Sequence, residues 1–240
     1  MKFTVIVFAI LLFSIPIHAQ HKYDWSKYNR LPFKKNSVKG DKGFPDFKNI
    51  IYPIKKTNAD IEIRCHWVGH GGYFGIYTLK FYQDSISVIN ITAVPIFECK
   101  ENPAEKNNDW FKIDSNQCYK AEYYAIGDTG KVILDNMIKN GLFTTISEKE
   151  AKEKLKKKHA KDIQASSAKN ELRYTITAKR IHYYEVMTKT KFRSFYSFSL
   201  RYDDINTKYE SVDYGSTISK IFNILVNYLS TKNNKYETGN

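Results

Sequence analysis

The sequence predicts an α+β fold, a mostly antiparallel sheet packed by a C-terminal amphipathic helix and one or two central helices. Polar/apolar alternation leads to this reading, over 61–67, over 172–179 and, broken only at Phe195, over 192–201. A second observation supplies the helix: Ile218, Ile221, Phe222, Leu225 and Leu229 recur at helical spacing near the end of the chain. Hydrophobic residues make up 42% and aromatics 15% of the sequence, enough apolar surface for a packed core and against disorder. A closed or half-closed barrel is the alternative arrangement of the same strands.

The N-terminus reads as a removable export signal over residues 1–19. Lys2 precedes an apolar run from Phe3 to Ile15, and Ala19 supplies the small residue at a cleavage point. The run falls short of the roughly 20 apolar residues a membrane span needs, and no later segment approaches that length. The expectation is an exported chain, periplasmic or extracellular, with no transmembrane segment after cleavage. Residues 20–58, interrupted by Pro32, Pro45 and Pro53, read as an irregular lead-in with a short strand near Ile50 to Ile54. A single domain then fills 59–230, and 231–240 form a polar, flexible tail.

Within the domain, Ile61, Ile63, Cys65 and Trp67 alternate with Glu62, Arg64 and His66, which places the first set inward and the second in solvent. The glycines at 69, 71 and 72 mark a turn, followed by strands over 73–82 and 85–92. Glu101 to Asn108 reads as a polar loop with Trp110 and Phe111 tucked beneath it. Tyr119 to Ala125 alternates again. Asp128 or Thr129 is the expected cap of a helix whose inner face holds Ile133, Leu134, Met137 and Ile138, and Asn140-Gly141 is its stop signal. Ser147 and Glu150 have capping-box spacing and open a second, lysine-rich helix running to about Gln164. Leu172 to Met187 and Phe192 to Leu200 form a hairpin around Thr188 to Lys191. Asp203-Asp204 falls in the loop beyond it.

Asn140-Gly141-Leu142-Phe143-Thr144, the Lys191-Phe192-Arg193-Ser194-Phe195 strand and the closing amphipathic helix together resemble small exported bacterial α+β proteins of uncharacterised function. The resemblance covers the second half of the chain. It implies an α+β fold and export, and it assigns no catalytic or binding residue.

Three cysteines permit one internal bridge. Cys65 lies on an apolar strand face and reads as a buried free thiol. Cys99 and Cys118 flank a polar segment, and a disulfide between them would stabilise the fold by about 3 kcal/mol. The formal net charge of +13 favours a polyanionic partner, anionic glycan or lipid head groups, over nucleic acid. The contact residues expected for it are Lys154, Lys156, Lys157, Lys158 and Lys161, on the lysine-rich helix. A solvated basic surface without a dedicated partner is the competing reading.

Among chemically capable groups, His66 and His70 are the candidate metal ligands, yet two imidazoles do not close a zinc site, which takes four ligands. No cofactor is expected. The chain contains no nucleophile-elbow, His-Glu-x-x-His or phosphate-loop motif. The expected function is therefore non-enzymatic binding of an anionic envelope glycan or lipid surface. The alternative is an envelope-directed hydrolase using a carboxylate or histidine site, with Glu185 and Asp203-Asp204 as the carboxylates to consider.

Overall fold

The computed structural model describes residues 23–35, 52–68, 74–95, 108–112, 117–161, 163–164, 174–204 and 209–237. Its strands are β1 (Ile61–Val68), β2 (Phe74–Phe81), β3 (Ile86–Pro95), β4 (Asn108–Lys112), β5 (Gln117–Ala125), β6 (Tyr174–Thr188), β7 (Phe192–Asp204) and β8 (Tyr209–Tyr214). They form one antiparallel sheet in the order β4-β5-β3-β2-β1-β6-β7-β8. The order is linear, with β4 and β8 at its ends, so the sheet is open and not a closed barrel. Helix α1 covers Ser26–Asn29, α2 Gly127–Lys139, α3 Glu148–Lys158 and α4 Ser216–Glu237. The α+β class and the predominantly antiparallel sheet agree with the sequence reading. None of the described helices is long and apolar enough to cross a membrane.

Strand β1 sits at the centre of the sheet, paired to β2 on one side (Ile61↔Phe81) and to β6 on the other (His66↔Tyr183). That position overturns the expectation of one wet face. Every residue from Ile61 to His66 is buried, Glu62 included at 0% exposure. Alternation still sorts the side chains between two faces, but both faces are covered.

Helices α2 and α4 cover one face. Leu134, Met137, Phe222 and Leu225 meet Ile63, Cys65, Leu79, Val88, Tyr184 and Phe195 in the main core. Trp25 and Tyr28, from the stretch read as an irregular lead-in, belong to the same core. Trp25 donates its indole N–H to the Tyr82 carbonyl at 2.8 Å, and Tyr28 hydrogen-bonds to Asp135 on α2. On the opposite face, α3 buries Ala151 and Leu155 against Tyr183, Tyr196, Phe198 and Leu200. A third cluster, Ile76, Ile91, Ala93, Tyr119 and Ala121, continues that face across β2, β3 and β5.

Local signals account for the element ends. Gly141, at φ +99°, follows α2 in a Schellman arrangement: its N–H reaches Ile138 O and the Leu142 N–H reaches Met137 O, both at 3.0 Å. A side chain at this φ would be strained, so the glycine is required. The start of α2 differs from expectation. The helix begins at Gly127 after Ile126, with no side-chain cap, and Asp128 instead accepts a bond from Tyr23 Oη at 2.8 Å. Helix α3 has the expected capping box at Ser147 and Glu150; a turn at His159 follows Lys158, and 160–161 and 163–164 are again helical, so the helical stretch reaches Gln164 as expected. Helix α4 continues through Thr231 to Glu237, into the stretch read as a tail.

Further corrections concern short elements. Residues Ile54–Lys56 form a 3₁₀ turn where a strand was expected to end. Strand β4 replaces the end of the expected polar loop and carries Trp110 and Phe111 in its backbone. Asp203-Asp204 are the last residues of β7, not a loop, and β8 is an additional edge strand. Gly75 has a packing role: a Cβ there would lie 2.6 Å from both the Ile91 carbonyl and the Trp67 ring, so only glycine lets the indole lie flat on β2.

Candidate functional site

Three arrangements of polar side chains stand out, and their geometry separates structural from ligand-accessible chemistry. The first is the buried row on β1. Arg64 Nε donates to Glu62 Oε1 at 2.7 Å and its Nη2 to the Tyr52 carbonyl at 2.8 Å, while Tyr52 Oη donates to Glu62 Oε2 at 2.8 Å. His66 Nε2 lies 3.0 Å from Glu185 Oε2, with the His66 ring against Tyr183. His66 was expected to face solvent; it is 8% exposed. It is buried because β6 brings Glu185 and Tyr183 alongside it. The histidine–carboxylate pair that a hydrolase reading requires thus exists, largely buried, with side-chain exposures of 10% for His66 and 19% for Glu185. His70 lies outside the described residues, so the His66/His70 pair is not assembled from them. Among the described residues no group of three or more His, Cys, Asp or Glu is placed to hold a metal ion.

The second arrangement centres on Ser219 of α4. Its Oγ lies 3.0 Å from His182 Nδ1, 3.2 Å from Tyr184 Oη and 2.9 Å from Ser197 Oγ. A hydroxyl offers one proton and two lone pairs, so three such neighbours saturate it. Ser219 is also 5% exposed. This serine–histidine contact fastens α4 to the sheet and presents no free nucleophile. Burial lowers the His182 pKa, which keeps the ring neutral. Cys65, close by, is fully buried, and burial raises its thiol pKa far above the range in which a thiolate forms. This agrees with its reading as an inert core thiol.

The third arrangement is a cleft of about 520 Å³ between α3 and β7. Lys149, Lys152 and Lys156 line it from α3, with Glu148 and Glu153 between them. Tyr196 and Phe198 supply an aromatic wall from β7, Phe195 borders the cleft while its ring packs in the main core on the other face, and Ile146 and Ser147 close one end. Local sequence builds this wall. Ser147 caps α3, and Ile146 before the cap packs with Ala151 four residues into the helix, the hydrophobic staple that sets the entry angle. Ala151 and Leu155 face the sheet, so the spacing 149, 152, 156 brings those lysines to the cleft margin.

Charge in the cleft is mixed but leans positive. Glu148 pairs with Lys152 at 2.7 Å, whereas Lys149 and Lys156 are exposed. Glu150 is engaged away from the cleft, where it accepts from Lys34 Nζ and from the Ser147 backbone N–H. Those bonds, Lys34 first, pull its pKa down from 4.5 to about 2. Because the folded-state pKa is depressed, the contribution to stability is whole above pH 4.5 and is lost as pH falls through about 2. Glu150→Gln should flatten this acid limb in chemical denaturation followed between those two pH values. An unchanged limb would place the acid sensitivity elsewhere.

Of the expected contact lysines, only Lys156 lines the cleft; Lys154, Lys157 and Lys158 are exposed elsewhere on α3, and Lys161 lies beyond its end, also exposed. Lys149 and Lys152 replace them. Their helical spacing relative to Ala151 and Leu155 is a signal already present in the sequence, whereas the aromatic wall on β7 is not. Cys99 lies outside the described residues, and the Cys99–Cys118 bridge with it. No family model matches the chain, and neither any curated protein nor any solved structure matches it.

Proposed function

We propose that this chain is an exported, non-enzymatic binding protein that takes an anionic envelope glycan in the cleft between α3 and β7. The observation that carries the reading is the pairing of a lysine-bearing margin with an aromatic wall in a single cavity. Lysines attract carboxylate or sulfate substituents, and Tyr196 and Phe198, largely buried under Ala151 and Leu155, give the cleft an apolar base beneath them. Export rests on the charged and apolar pattern of residues 1–19. The hydrolase alternative is weaker on geometry. The cleft lining contains no histidine, and its Glu148 is held by Lys152. The His66–Glu185 pair sits outside that lining, within the sheet face.

Calorimetric titration with an acidic oligosaccharide and its carboxyl-reduced, neutral counterpart, at low salt, tests this reading. The wild-type chain should prefer the acidic form. Charge reversal in the variant K149E/K152E/K156E should weaken binding by about 10- to 100-fold, since each exposed ion contact contributes up to about 1 kcal/mol. Added salt should weaken the wild-type interaction as well. Equal binding of both sugars, or full affinity in the reversed variant, would remove the cleft from consideration. Binding to anionic vesicles without sugar binding would replace the glycan with a lipid surface.

A further inference from the structure

The order of charges along a helix decides which of them stay free. Five charged residues of α3 line the cleft: Glu148, Lys149, Lys152, Glu153 and Lys156. A glutamate four residues before a lysine makes a better helical pair than the reverse order, in keeping with the helix dipole. Glu148 and Lys152 stand in the favoured order and pair at 2.7 Å. Lys149 and Glu153 stand in the reverse order, and among the described residues neither side chain makes an ion pair or hydrogen bond. Lys156 is likewise unpaired, and all three are exposed. The Glu148–Lys152 pair neutralises itself, so what the cleft offers a ligand is two positive charges and one negative charge.

Helix geometry sets these free charges in sequence. At about 100° per residue, Lys149, Glu153 and Lys156 fall on one strip of α3 about 60° wide, spaced about 6 Å and then about 4.5 Å along the axis. The strip runs plus, minus, plus, with Tyr196 and Phe198 as the apolar base beneath it. A ligand bearing acidic groups alone meets Glu153 as a repulsion in the middle of its path. A ligand with a cationic group between two acidic ones satisfies all three side chains. We propose that the cleft selects a zwitterionic glycan, an acidic chain with a free amino substituent, in which Lys149 and Lys156 hold two oxyanions and Glu153 accepts hydrogen bonds from the ammonium between them. This inference rests on the cleft being the site of an anionic glycan, and it narrows the class of that glycan. Acetylating the amine removes its charge and leaves nothing to offset the Glu153 carboxylate.

Calorimetric titration at low salt with an oligosaccharide of alternating uronic acid and amino sugar, once with its amines free and charged and once N-acetylated, tests the assignment. Net charge and Glu153 predict opposite preferences. The acetylated form is the more anionic, so attraction to the lysines alone would make it the tighter ligand. With Glu153 in the assigned role, wild type should bind the free-amine form about 5-fold more tightly, the value of one exposed ion contact. E153Q keeps the shape of the side chain and removes its charge. It should weaken the free-amine ligand about 5-fold and tighten the acetylated one, reversing the preference. A wild-type preference for the acetylated form would overturn the assignment, as would a free-amine preference that E153Q leaves unchanged. E153Q tightening both ligands alike would also overturn it, by reducing Glu153 to a repulsion. The two readings fail differently. Loss of both ligands in K149E/K152E/K156E, with wild type indifferent to acetylation, upholds the anionic-glycan cleft and removes the Glu153 contact. No binding of either form by wild type removes the cleft as a glycan site, and the Glu153 contact with it.

Discussion

Replacing Glu62 by alanine is expected to destabilise the fold by about 3–5 kcal/mol, the usual cost of breaking a buried ion pair from one side. Glu62 is 0% exposed on the central strand and holds Arg64 Nε at 2.7 Å and Tyr52 Oη at 2.8 Å. Its removal strands the Arg64 charge, at 5% exposure, with the Tyr52 carbonyl and the Tyr52 ring as its remaining contacts. The loss should therefore exceed that of any exposed pair, such as Lys131–Asp135 on α2. The double replacement Glu62→Leu with Arg64→Met should recover most of it, since an apolar pair of similar volume avoids the desolvation of both charges. Urea denaturation of the three variants measures this directly. A single-variant loss below 1 kcal/mol would mean that the Arg64 head group escapes to water.

Phe222→Ala should cost a similar amount, about 3–5 kcal/mol, for a different reason. Phe222 is 1% exposed on α4, and its ring meets Tyr77 edge-on at 5.2 Å and Tyr184 at 6.4 Å between centroids. It is thus the side chain that joins α4 to β2 and β6 at once. Truncation removes the apolar transfer energy and leaves a cavity that the rigid sheet cannot close. The outward neighbour Ile224, at 66% exposure, provides the control: its replacement by alanine should change stability by less than about 0.5 kcal/mol. A comparable loss at both positions would mean that α4 is docked by a different face. Equilibrium unfolding monitored by near-ultraviolet circular dichroism distinguishes these outcomes, because the aromatic cluster reports the packing itself.

Much of the fold is legible because its signals are local. The Ser147–Glu150 capping box and the Asn140-Gly141 stop depend on groups within a few residues of one another, and both form as read. The Thr188–Lys191 turn closes the expected hairpin, with the Thr188 N–H on the Lys191 carbonyl at 2.8 Å. Cys65 is inward for the same reason: a period of two decides which face a strand residue takes. The edge strands β4 and β8 escape such a reading, since they are short, polar and carry no sustained alternation. The site is harder still. Lys149, Lys152 and Lys156 can be grouped by helical spacing, but the wall they face comes from β7, more than a helix away in sequence.

What the chain determines locally is therefore the type of each element and the side on which each residue stands. What covers that side was decided by pairing between distant segments. Glu185 meets His66 across 119 residues of sequence, and Arg193 meets Thr145 across 48. The alternation that placed Glu62, Arg64 and His66 opposite Cys65 is correct, but their solvation is not a property of alternation. It follows from β1 becoming the central strand, with β6 on its free edge and packed layers on both faces. The buried Nε and Nη1 of Arg193, which have no hydrogen-bond partner, have the same origin, because a hydrogen-bond deficit exists only once folding has removed the water that would have supplied the partner.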